Sequence, residues 1–372
     1  MISNRLRLYE MLDKVGGTVI DEIDWSNEFP DVNKTCLDMN EVLSLLNDVL
    51  INHGKNPANR IKSQLYIHNK NIKSNDSGEI DVNEFIRNIT QIPREILSQN
   101  KKIQNSELAG EIGYNIGIPA LMGIVYDIEN KKFYKISTCP GAGSCAKICY
   151  ARKGNYVLLP AVSMKQTRIL NLLLNDPNLF EEILYEELKN AIIHNPSKTI
   201  TLRFNDAGDF FSKRFFQIAK DITKNLINSG YKFKSYAYTK MGEVINIGDP
   251  NMILNFSDDA SSAEKQKITK TGIKTSKIIP QFFFDEFLEK DKRGRYAVDS
   301  NNKPIFKPNG LNSLKSKLSN EFNIPIDTII TYSEMLNIPE GDKKYNVIIM
   351  PKGDGDVGAR RNDIMISFLL QH

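Results

Sequence analysis

Apolar residues recur at helical spacing over the first hundred positions. Val42, Leu45, Leu46, Val49 and Leu50 share one helix face in the run EVLSLLNDVLI. Leu8, Met11, Leu12 and Val15 predict an earlier helix, and Asn83 to Asn100 predicts another that Pro93 interrupts. Residues 1–105 therefore read as a mostly helical N-terminal region. From about residue 110 short β-rich runs alternate with helical ones. Strands are expected at Phe133–Thr138, Thr199–Asn205, Lys232–Thr239, Asn251–Ser257, Lys277–Phe284, Thr328–Tyr332 and Asn346–Met350. Helices are expected at Met164–Asn190, at Ser212–Ser229 before Gly230, and briefly at Ala263–Thr271. Strand–helix–strand alternation implies a parallel sheet with crossover helices. The fold class expected is α/β, with a full or partial (β/α) barrel over residues 106–372.

A basic insertion around residues 290–320 breaks the alternation. Arg295 to Lys307 reads as a hairpin with Ser300-Asn301-Asn302 at its tip. Lys290, Lys292, Arg293, Arg295, Lys303, Lys307, Lys315 and Lys317 read first as a solvated surface. A contact for a phosphate-bearing substrate is the second reading.

Composition narrows the class. The chain has 372 residues, 41% hydrophobic and 25% charged, which excludes disordered, collagenous and membrane-spanning classes. A net charge of +4 is too mild to demand a nucleic-acid partner. The N-terminal run MISNRLRLYEMLDKV lacks an apolar signal segment, so the expected location is the cytoplasm. No membrane partner is expected, because the longest apolar runs, such as Ile118 to Val125, are far too short to span a bilayer. Asn75 to Glu84 resembles a calcium loop, but with Gly78 at position six Lys73 falls at position one, where lysine cannot ligate. A polar turn before a helix is expected there.

Cysteine placement changes the picture most. Three of four cysteines, Cys139, Cys145 and Cys149, fall within eleven residues of CPGAGSCAKICYA. Clustered cysteines in a reducing compartment read as metal ligands or catalysts. Pro140, Gly141, Ala142, Gly143 and Ser144 let the backbone fold tightly, and Cys145 and Cys149 are one helical turn apart. Three readings stand. The thiolates hold a [4Fe–4S] cluster with one iron open, or zinc with a fourth ligand such as Cys36 or His194, or they ligate nothing. Clustering favours a metal over inert thiols. Cys36 is expected to be a buried core thiol of the N-terminal region.

Polar residues gather where parallel strands end, the edge where α/β proteins build sites. Arg203, Asn205, Asp206, Gly208 and Asp209 follow one strand, Tyr238, Thr239 and Lys240 the next, and Ser257, Asp258 and Asp259 the third. Helix capping by Asp209, Ser212, Asp258 or Asp259 is the structural alternative. The run Gly353-Asp354-Gly355-Asp356-Val357-Gly358 reads as an anion cradle or as an ordinary mobile loop.

The segments GYNIGIPALMG, STCPGAGSCAKICYARKGNY, RFNDAGDFFSKRFF and SYAYTK resemble the phage-borne gene product 88-like family over roughly residues 110–240. In architecture the chain also resembles a divergent radical S-adenosylmethionine (SAM) enzyme. That resemblance implies a [4Fe–4S] cluster on Cys139, Cys145 and Cys149, although the superfamily spacing is C-x3-C-x2-C and this chain has C-x5-C-x3-C. It implies SAM held by Asn205, Asp206, Gly208 and Asp209 after the second strand, and by Ser257 and Asp258 after the fourth. Tyr236, Tyr238 and Lys240 would then line the mouth where a substrate, either a small molecule or a nucleic acid, loses a hydrogen atom, with Tyr238 and Lys240 facing it. Two alternatives stay open. One is a zinc-stabilised, non-catalytic protein that binds nucleic acid or a host protein. The other is a magnesium-dependent hydrolase or nuclease using Asp206, Asp209, Asp258 and Asp259.

Overall fold

The computed structural model describes residues 28–370 except 53–64, 66, 75–77, 105, 106, 109, 153, 301–303 and 351–353. The helix expected at Leu8–Val15, most of the hairpin tip, Lys303, and residues Asn75 to Ser77 lie outside the described residues.

Among the described residues, eight strands form one parallel sheet. They are β2 (Glu111–Asn115), β5 (Thr199–Phe204), β6 (Phe233–Thr239), β7 (Met252–Ser257), β8 (Thr275–Ile279), β9 (Ile329–Thr331), β10 (Tyr345–Ile349) and β11 (Ile364–Leu370). Their spatial order is β2-β5-β6-β7-β8-β11-β10-β9, and each neighbouring pair is parallel. The fold is α/β. The two edge strands, β2 and β9, are not joined, so the barrel stays open. Strand order is sequential from β2 to β8 and reverses from β11 to β9, which puts a topological switch point between β8 and β11.

Helices cover the sheet because their apolar stripes need burial. Helix α5 (Lys213–Asn228) crosses from β5 to β6 with Phe215, Ile218, Ala219, Ile222 and Leu226 inward. The Ser212 hydroxyl caps it by accepting from the Phe215 N–H. The single helix expected over Met164–Asn190 is two, α3 (Pro160–Asn175) and α4 (Pro177–His194). Pro177 cannot continue the first, and Asp176 caps the second.

The expected strand Phe133–Thr138 exists, but not in the parallel sheet. It is β4 (Lys132–Ser137), in a three-stranded antiparallel sheet ordered β1-β4-β3 with β1 (Lys34–Leu37) and β3 (Met122–Asp127). Four residues separate β3 from β4, and a parallel return needs a dozen or more. The short connection therefore forces a hairpin. Helices α1 (Met39–Asn52) and α2 (Val82–Thr90) pack through Val42, Leu46, Phe85 and Ile89 onto Ile124, Phe133 and Met164. Cys36 sits on β1 and is exposed, contrary to the expected core thiol. The expected strand Lys277–Phe284 stops at Ile279, because Pro280 follows and Gln281–Phe284 turn helical.

Three of the basic side chains of the insertion are paired with carboxylates in it or next to it. Antiparallel bridges join Leu288 to Phe306, Lys290 to Tyr296 and Val298 to Pro304. Lys290 pairs with Asp285 at 2.7 Å, Arg295 with Asp291 at 2.8 Å, and Lys317 with Glu286 at 2.8 Å. These pairs favour the solvated-surface reading. Residues Asp356 to Arg360 of the glycine-rich loop are buried against β6, β7 and β11, so this stretch is neither an open cradle nor a mobile loop. No helix among the described residues is long and apolar enough to cross a membrane.

Candidate functional site

The C-terminal ends of β5, β6, β7, β8 and β11 surround a cavity of about 220 Å³. Cys139, Cys145 and Cys149 line it together with Asn205, Asp206, Gly208, Tyr238, Lys240 and Ser257. Leu121, Arg203, Ser276, Ile278, Leu369 and Leu370 complete much of the wall. With Arg203, ten residues chosen from sequence thus meet in one place. Tyr236, Thr239, Asp209, Asp258 and Asp259 do not line it.

The cysteine loop is seated by backbone contacts to the segment after β7. The Gly143 N–H donates to the Asp259 carbonyl at 3.1 Å, and the Ser261 N–H donates to the Gly141 carbonyl at 2.9 Å. The Ser144 hydroxyl donates to Asp259 Oδ1 at 3.2 Å. A Cβ at Gly143 would lie 2.5 Å from the Asp259 carbonyl oxygen, and one at Gly141 would lie 2.7 Å from that of Lys240. Both glycines are therefore required by close approach. Leu121 adopts φ +63°, uncommon for a branched side chain, and its N–H donates to Cys139 Sγ at 3.4 Å.

Charge is distributed unevenly over the thiols. Burial pushes the Cys139 thiol up to about 12, with Asp209 adding to the rise and Lys240 opposing it. Burial also raises Cys145, again against Lys240. For Lys240 itself burial acts downward, but Asp209 and the three cysteines outweigh it and hold the ammonium above its ordinary range. Asp209 works from behind the wall. Its fully buried carboxylate accepts from Thr239 Oγ1 at 2.7 Å, the Lys240 N–H at 2.8 Å and the Phe210 N–H at 2.8 Å. It fixes the end of β6 and supplies Lys240 with a counter-charge.

Arg203 and Asp206 form the polar floor. Arg203 Nη1 lies 2.5 Å from Asp356 Oδ2 and 3.4 Å from Asp206 Oδ1, with all three side chains buried. Its guanidinium sits 5.0 Å from the centre of the Tyr238 ring. Asp206 also accepts from Asn100 Nδ2 at 3.1 Å and from the Tyr156 hydroxyl. Asp258 turns outward to Lys277 at 2.6 Å and Lys265 at 3.1 Å. Burial pushes its carboxyl up, but the two lysines outweigh that and hold it below the usual range. The four carboxylates proposed for magnesium are thus engaged separately.

Among the described residues, no group of three or more His, Cys, Asp or Glu is arranged to hold a metal ion. A zinc ion binds thiolates at about 2.3 Å, which brings the sulfurs within about 4 Å of one another. Neither Cys36 on β1 nor His194 lines the cavity. His194 ends α4 on the side that leads into β5, away from the strands' C-terminal ends, and its Nδ1 lies 2.6 Å from the Asn190 carbonyl oxygen. Cys139, Cys145 and Cys149 supply three thiols to the lining of the cavity, the kind and number of donors that a [4Fe–4S] cluster with one open iron would need.

A family model described as gene product 88 matches residues 89–282, more than half of the chain. The chain belongs to the gene product 88 family. No curated protein and no solved structure matches it. The gene product 88 match covers β2 to β8 and the whole cysteine loop. Strands β9 to β11 lie beyond it, and so do Leu369 and Leu370, which line the cavity, and Asp356, which pairs with Arg203. Sequence reasoning missed those wall residues and Leu121, Ser276 and Ile278, because apolar and small residues carry no motif. The apolar run Ile364–Leu370 was a readable signal for β11.

Proposed function

We propose that this gene product 88 chain is an iron–sulfur enzyme of the radical SAM type. Cys139, Cys145 and Cys149 would hold a [4Fe–4S] cluster, with SAM beside it at the strand ends. The observation that carries this reading is the meeting of three thiols and the polar ends of β5, β6 and β7 on one cavity. Three thiols lining one cavity are the donor set that a [4Fe–4S] cluster with one open iron would take.

A bound, reduced cluster would supply the electron that splits a carbon–sulfur bond of SAM. The chain's own residues bind, orient and exclude water. The Lys240 ammonium would offset the negative charge of the thiolates, while Asp209 anchors the Lys240 backbone N–H and adds a counter-charge. Gly208, Asp206 and Ser257 border the space for SAM. Ile278, Leu369 and Leu370 add apolar lining, which would help to keep water from a reactive species. Tyr238 and Lys240 would face the substrate.

The test is product analysis. Anaerobically purified protein with reconstituted iron and sulfide, given dithionite and SAM, should release 5′-deoxyadenosine. Cys145→Ala should release none. An iron-loaded wild-type protein that leaves SAM intact would refute the reading.

A further inference from the structure

Asn205 ends β5 in the left-handed region, at φ +58°. It is 4% exposed and lines the cavity. Neither its Oδ1 nor its Nδ2 has a hydrogen-bond partner. Left-handed backbone explains why asparagine is tolerated there, since asparagine enters that region more readily than most residues. It does not explain an amide held buried and unpaired. Folded proteins pair the large majority of buried polar side-chain atoms, because each orphan forfeits the hydrogen bonds it had in water. A ligand that sets an acceptor against Nδ2 and a donor against Oδ1 removes that cost on both sides of the amide at once.

We infer that Asn205 reads a planar ligand edge with one hydrogen-bond donor beside one acceptor, the edge that a nucleobase presents. The rest of the cavity suits an aromatic ring better than an aliphatic amide. Its volume is about 220 Å³. A cavity of about 150 Å³ already admits benzene. Tyr238 lines the same wall and offers a ring for stacking, backed by the Arg203 guanidinium. Ile278 and Leu369 add apolar lining. An asparagine amide can turn over, so it pairs with the adenine edge or with an edge that sets a ring N–H beside a carbonyl. The base belongs to SAM or to the substrate, and the two are separable by experiment. Taking the cavity as a ligand site rests on the function proposed above, but this recognition does not require the cluster.

Full-length protein, purified anaerobically, is titrated by calorimetry with adenosine, guanosine, uridine and cytidine, with ribose as control. At least one nucleoside should bind saturably and ribose should not. Asn205→Gly suits the left-handed backbone and should fold, yet it should weaken binding about tenfold or more. Asn205→Asp keeps the shape and one acceptor, and should reorder preference among the four nucleosides. Binding of adenosine alone assigns the edge to SAM, and binding of another base assigns it to the substrate. No binding by any nucleoside, or unchanged affinity in Asn205→Gly, would overturn the inference. Iron is measured in the same samples. Iron-free protein that binds nucleoside counts against the cluster, and iron-loaded protein that binds none counts against the amide's role.

Discussion

Replacing Asp356 with alanine removes the carboxylate that compensates Arg203. The two groups lie 2.5 Å apart, Arg203 is 3% exposed and Asp356 1%. Removing one partner of a buried pair costs about 3–5 kcal/mol, because a charge stays buried without compensation. Asp206 Oδ1 remains 3.4 Å from the guanidinium, which places Asp356→Ala at the low end, about 3 kcal/mol. Removing both charges is a different perturbation. An Arg203→Met, Asp356→Leu double variant loses the attraction and the desolvation penalty together, and should be more stable than Asp356→Ala by about 1–4 kcal/mol. Chemical denaturation of wild type, the single variants Arg203→Met and Asp356→Leu, and the double closes the cycle. Strictly additive effects, or an Asp356→Ala variant within about 0.5 kcal/mol of wild type, would refute a buried pair that docks the C-terminal loop under the cavity.

Gly143→Ala forces a Cβ to 2.5 Å from the Asp259 carbonyl oxygen, so the cysteine loop must move. A loss of about 1–3 kcal/mol and reduced iron per chain are expected, and wild-type iron content would count against the seating described. Asp209→Asn sets amide hydrogens among three donors that the carboxylate satisfied. It should cost about 1–3 kcal/mol in thermal unfolding, and an unchanged melting temperature would contradict the anchoring role. Lys274 donates to the carbonyls of Gly358 and Ile364, yet burial lowers its ammonium from 10.5 to about 8. Between those values the unfolded chain holds the extra proton, so this group makes stability rise with pH from about 8 toward 10.5. Scanning calorimetry at pH 7.5 and 9.5 should show that rise reduced in Lys274→Met, and equal slopes would remove the buried ammonium as its cause.

The parallel strands that frame the site were legible because their alternation with helices is regular and their ends are polar. Asn205, Tyr238, Lys240 and Ser257 could be chosen on that pattern. The antiparallel placement of β4 was not, since FYKIST reads the same in either sheet and the short connection to β3 decides. Residues 118–125 looked like one apolar run, and Gly123 and Pro119 hid the start of β3 within it. Asp209 shows the other kind of limit. A carboxylate after a parallel strand reads as a ligand, and whether it faces the cavity or the backbone behind depends on Thr239 and Lys240. The inward turn of Asp356 likewise depends on Arg203, more than 150 positions away.

The central claim is that Cys139, Cys145 and Cys149 bind one cofactor together. Iron, labile sulfide and zinc, quantified in protein purified without oxygen, test it most directly. The account predicts about four irons and four sulfides per chain, a brown absorption band, and loss of all three signals in Cys139→Ala, Cys145→Ala and Cys149→Ala. A colourless protein holding stoichiometric zinc, or iron retained in Cys145→Ala, would contradict it.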